Sequence, residues 1–136
     1  MTTTKKEAHA ITNARGHLES IKEDYRNYKE AEKNDDYKTQ DETRESILDS
    51  VLSVQFRSGW HSSLDDDIVP EEFKILLSWG GPACQIIGKL DQYKQPTDIE
   101  IQYQDWGTPW TTLEISCHHD DYQALDWFCN CFYFGE

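Results

Sequence analysis

Between Phe73 and Ile115 the chain breaks into short apolar runs separated by turn residues, and this stretch limits what the rest can do. FKILLSW is followed by Gly80-Gly81-Pro82, then ACQIIGKL, the turn DQYKQPTD, IEIQYQDW and TTLEI. Each run has strand length and strand composition, and each is closed by Gly, Pro, Asp or Asn-like turn residues. Such spacing predicts an antiparallel meander. An earlier alternating run, Leu52, Val54 and Phe56 against Ser53, Gln55 and Arg57, adds a first strand at 52–58. FKILLSW is a continuous apolar run, which predicts a central strand covered on both faces. In IEIQYQDW, Ile99, Ile101 and Tyr103 share one face and Glu100, Gln102 and Gln104 the other, so that strand is half-exposed.

The flanks read as helices. Thr4-Lys5-Lys6-Glu7 has the form of a capping box, and Ile11, Ala14, Leu18, Ile21, Tyr25 and Tyr28 follow at spacings of three and four. A helix over 4–33 is expected, its seam packed on the chain's own sheet; a dimer through that seam is the alternative. Thr39-Gln40-Asp41-Glu42 repeats the capping pattern, predicting a helix at 41–50 that buries Ile47, Leu48 and Val51. Residues 58–70 form a loop. Asp120 or Asp121 caps a last helix with Tyr122, Leu125, Phe128, Cys129 and Phe132 on its apolar stripe. The fold class is α+β: two N-terminal helices, a four- to five-stranded antiparallel meander sheet, and a C-terminal helix packed on it. With 136 residues and no repeat, one domain is expected.

Charge restricts function more than any motif does. The chain carries 13 Lys and Arg against 26 Asp and Glu, a net of −13. Residues 51–136 hold only Arg57, Lys74, Lys89 and Lys94 against fourteen acids. A surface of this sign repels nucleic acid and anionic membranes and attracts basic proteins. MTTTKKEAHA has no apolar segment of a signal peptide, and no run reaches the length of a membrane span. The expectation is a protein of the host cytoplasm with reduced cysteines.

Catalytic signatures are weak. Cys117, His118, His119, Cys129 and Cys131 are metal-type residues, but C-H-H…C-x-C is not a zinc spacing. On one helix Cys129 and Cys131 point about 200° apart. Cys117 with His119 could form a nucleophile and base, yet nothing around them completes such a site. Asp65-Asp66-Asp67 reads as a solvated loop, and Gly80-Gly81-Pro82 lacks the lysine of a phosphate loop. No metal or cofactor is expected. A small Cys/His-based or metal-dependent enzyme at Cys117-His118-His119 is the alternative to a binding protein.

Carboxylates on a rigid face suggest a mechanism. Alternate strand residues are about 6.6–6.8 Å apart, and helix neighbours about 5–6 Å. These spacings lie near those of backbone phosphates, so such a face can occupy a Lys/Arg groove. The candidate partner-binding residues are Asp65, Asp66, Asp67, Glu71, Glu72, Asp91, Asp98, Glu100, Asp105, Trp106, Asp120 and Asp121. Trp106-Gly107-Thr108-Pro109-Trp110 makes a rigid turn, expected to place one indole under the sheet, with Trp110 behaving as a core aromatic.

GGPA, QYQDW and the TPWT that follows, with VQFRSGWH before and FYFGE after, resemble a family of small uncharacterised proteins encoded on bacterial phages, plasmids and integrated elements. The resemblance covers roughly residues 45–136 and carries no catalytic or binding residues. It implies a setting: small acidic proteins of mobile elements that resemble counter-defence factors, including anti-CRISPR proteins. Taken with the acidic face, that setting leads to the expectation of a basic nucleic-acid-binding host protein or complex as partner.

Overall fold

Heptad-like spacing in the first thirty residues becomes a single long helix. In the computed structural model, which describes residues 5–60, 62, 70–80, 82–105, 107–115 and 120–132, α1 runs Lys5–Lys33. Ala10, Ala14, Leu18, Ile21, Tyr28 and Ala31 are buried along one stripe, with Ile11 and Tyr25 half-buried beside them. The seam packs within the chain, against α2 (Tyr37–Ser50), α3 (Asp120–Cys129) and two strands. A dimer through that seam would have to expose it first.

Asp35 takes a positive φ of 52° at the end of α1, and Asp36 N–H donates back to the Ala31 carbonyl at 2.9 Å. Asp36 then caps α2, accepting from Thr39 N–H at 3.1 Å and from the Thr39 hydroxyl at 2.6 Å. The helix therefore starts four residues before the expected position. Thr39 is not the cap because its own hydroxyl is committed to Asp36, whose carboxylate reaches the third helical N–H. Those bonds hold the Asp36 carboxyl below its ordinary pKa. Of the residues expected to be buried on α2, only Ile47 is; Leu48 is 49% exposed and Val51 half-buried. Successive helical residues point about 100° apart, so one contact with α1 covers Ile47 and not Leu48.

Five strands follow: β1 (Ser53–Arg57), β2 (Glu72–Ser78), β3 (Ala83–Leu90), β4 (Pro96–Gln104) and β5 (Thr111–Thr112). They lie in sequence order, every neighbour antiparallel. Register aligns Val54, Ile75, Ile86 and Ile101 across four strands, and α1 and α3 meet the sheet on that side. β2 is not covered on both faces: Phe73, Ile75 and Leu77 are buried, Lys74 is exposed and Leu76 half-buried. The lysine inside the apolar run makes the strand two-sided. β3 is the central strand, with Ala83, Cys84, Gln85 and Ile86 all buried.

One irregularity ties the last helix to the sheet. Between the pairs Ile87–Glu100 and Lys89–Thr97, one residue of β3 faces two of β4, and Asp98 adopts a φ of 49°. This bulge releases Ile99 N–H from the ladder, and it donates to the Tyr122 hydroxyl of α3 at 3.3 Å. Further along α3, Ala124, Leu125, Phe128 and Cys129 are buried. Trp127 packs against both Tyr25 and Tyr28 of α1, with ring centroids 5.5 and 5.3 Å away. Among the described residues no helix is long and apolar enough to cross a membrane.

Candidate binding surface on the open sheet face

The alternation that sends Val54, Ile75, Ile86 and Ile101 into the core sends Gln55, Lys74, Ile87 and Glu100 to the opposite face, again as one cross-strand row. Those four line a concavity of about 1100 Å³, with Arg57, Glu72, Lys89, Asp98, Gln85 and Trp110 among its other walls. The face is held by polar contacts. Gln85, only 6% exposed, donates its side-chain amide to the Gln102 carbonyl oxygen at 2.8 Å. Thr112 donates to Glu100 at 3.2 Å, and Arg57 meets Glu72 at 3.0 Å. Trp110 is half-buried on this face rather than sealed in the core.

Backbone bonds gather several of the predicted acids at one end of the sheet. Glu71 N–H donates to the Arg57 carbonyl at 2.9 Å, and Leu90 N–H to the Glu71 carbonyl at 2.8 Å. The start of β2 thus adjoins the ends of β1 and β3. Asp91 accepts from Tyr93 and Gln95 N–H at 2.8 and 2.9 Å, closing the turn that returns the chain to Pro96. Glu71, Glu72, Asp91 and Asp98 share this end, with Glu100 one step inward. The Tyr122–Ile99 bond brings the start of α3 to the same end, where Asp121 is bound to Lys22 at 2.8 Å.

The carboxylates differ in availability. Glu72 and Asp121 are ion-paired. Glu71 accepts the Gly59 N–H at 3.0 Å, while Asp98 and Glu100 are exposed and form no ion pair among the described residues. Asp105 departs from expectation most. It is buried at the other end of the sheet, its carbonyl accepting from Thr108 N–H and hydroxyl at 3.1 and 3.0 Å, and Gln104 donates to the Thr108 carbonyl at 2.9 Å. The QYQDWGTP segment uses its polar groups to close a turn. Asp65, Asp66, Asp67 and Trp106 lie outside the described residues, as do Cys117, His118, His119 and the side chain of Asp120.

Lys74, Lys89, Gln85, Gln102 and Trp110 belong to this surface although none was among the candidate binding residues. For the four on β2, β3 and β4, alternation with buried neighbours was the available signal; Trp110 lies in the turn between β4 and β5. The remaining thiols are poor nucleophiles: burial pushes Cys84 up to about 12, and raises Cys129 and Cys131 as well. Among the described residues no three His, Cys, Asp or Glu side chains group to hold a metal. No family model, curated protein or solved structure matches this chain.

Proposed function

We propose that this protein is a non-enzymatic inhibitor encoded on a mobile element, which docks on the basic nucleic-acid-binding surface of a host defence complex. The observation that supports the reading is the convergence of carboxylates from separate strands at one end of the sheet, beside an open concave face. Asp98 and Glu100 line that face with Trp110. A partner lysine or arginine there would meet two carboxylates and an aromatic ring, and both contacts favour a cation. Lys74 and Lys89 stand on β2 and β3, so the attraction is directional, strongest along β4.

Binding should weaken as salt rises, because the charges are screened over about 8–10 Å at physiological ionic strength. The direct test is competition, with a candidate defence complex losing its nucleic acid as this protein is added. Variants should be chosen with the backbone in mind. Asp98 has a positive φ, so Asp98→Asn preserves a residue suited to that conformation, and Glu100→Gln removes the second charge. The pair should slow association and relieve inhibition with no loss of folding. A stable ternary complex of inhibitor, target and nucleic acid, unaffected by the pair, would sink the proposal.

A further inference from the structure

One side of α1 carries a stripe of basic residues in an otherwise acidic molecule. Lys22, Arg26, Lys29 and Lys33 recur at intervals of four, three and four, a single stripe about 16 Å long at 1.5 Å rise per residue. All four line one groove of about 560 Å³, whose walls also include Gln123 of α3 and the carboxylate of Glu30. Against them stand Glu30 on the groove wall, Asp121 and Glu19 beside Lys22, and Glu32 beside Lys29, so the positive charge left over comes from Arg26 and Lys33. Lys22 is anchored by Asp121 at 2.8 Å. Lys29 reaches Glu32 at 3.2 Å in a pair whose side chains are 53% and 43% exposed, an interaction worth little in water and readily exchanged. Arg26 and Lys33 are exposed and make no ion pair among the described residues.

We propose that this groove binds a compact multivalent phosphate, two or three adjacent phosphate groups such as those of pyrophosphate or tripolyphosphate. Arg26 supplies a planar fork that can bond two phosphate oxygens at once, and Lys29 and Lys33 supply point charges along the same line. Gln123 offers an amide from α3. A compact anion fits better than a long polyanion, because a polymer leaving the groove runs over the acidic remainder of the surface. A purely structural role for these cations, complementing the C-terminal end of the α1 dipole, predicts an effect on stability and no anion binding.

The test is titration of the full chain with inorganic tripolyphosphate, pyrophosphate and orthophosphate at about 0.15 M ionic strength, followed by calorimetry and amide chemical shifts. Tripolyphosphate should bind one to one, at least about tenfold tighter than orthophosphate, with shifts at Arg26, Lys29, Lys33 and Gln123. Arg26→Gln with Lys33→Gln should weaken it by about tenfold or more, while Lys38→Gln, on α2 and outside the groove, should leave it unchanged. Both altered positions are exposed; should the pair disturb the fold, Lys29→Gln alone provides the same comparison. A nucleoside triphosphate should bind like tripolyphosphate. Absence of saturable binding, equal affinity in the double variant, or tighter binding of a single-stranded oligonucleotide would each overturn the proposal.

Discussion

The two faces of this sheet share every backbone hydrogen bond and almost nothing else. On one, Val54, Ile75, Ile86 and Ile101 form an apolar row on the side where α1 and α3 meet the sheet. On the other, one residue along each strand, Gln55, Lys74, Ile87 and Glu100 face an open concavity. The first is stabilised by area removed from water, about 1.5–3 kcal/mol for each fully buried aliphatic side chain. The second is organised by amide, hydroxyl and ion-pair contacts worth about 1 kcal/mol or less each. Stability is therefore concentrated on the covered face, and the open face is left available for binding.

Thiol chemistry should separate the faces most sharply. Cys84 lies fully buried, with its pKa pushed up to about 12. Three pKa units above its ordinary value of 9.0 reduce the thiolate at pH 8 by about a thousandfold. Cys84 and Cys129 should resist iodoacetamide in the folded protein and react on denaturation, as read by mass spectrometry. Rapid native labelling of either would show that the covered face is not dry.

Truncation of the core comes next. Phe128→Ala should cost about 3–5 kcal/mol in urea unfolding, whereas Glu100→Ala on the open face should stay within about 0.5 kcal/mol. Equal costs would erase the comparison. Gly88 lies between the two regimes. A Cβ there would stand 2.6 and 2.7 Å from ring carbons of Phe73 and 2.9 Å from the Thr97 carbonyl oxygen, so Gly88→Ala should cost about 1–3 kcal/mol.

The open face has its own weak point. Gln102→Ala would strand the buried Gln85 amide, costing about 1–3 kcal/mol, and adding Gln85→Leu should restore part of the loss. Full additivity of the two would mean that the amide pair is not coupled. Trp110→Ala should cost about 1–2 kcal/mol, below the 3–5 of a core aromatic, because its ring is half-buried. A larger loss would return Trp110 to the core role its turn suggested.

How legible each part was in the sequence follows from the physics that sets it. The meander was readable because every strand ends in residues that end strands, and α1 because its seam keeps helical spacing. Which strand is central was not. The run of FKILLSW hides Lys74 facing outward, while Gln85 disguises β3 as two-sided although its amide is buried against Gln102. Local patterns report polarity, and burial of a polar group depends on a partner seventeen residues away. The capping pattern misplaced the start of α2 for a similar reason, since two capping residues compete and only geometry decides. Gathering Glu71, Glu72, Asp91 and Asp98 at one end of the sheet required the register of four strands. Asp105 could not have been separated from them by charge alone.

The contact between α1 and α3 has a consequence for how the protein is made. Adjacent strands follow one another along the chain, so the sheet can assemble progressively as residues emerge from the ribosome. α1 cannot be completed in that way. Its Tyr25 and Tyr28 rest on Trp127, and an amphipathic helix draws most of its stability from such packing. The part of the stripe around Tyr25 and Tyr28 therefore waits for α3, after α2, β3 and β4 have covered the rest. During that interval the nascent chain presents a partly uncovered apolar seam to other chains.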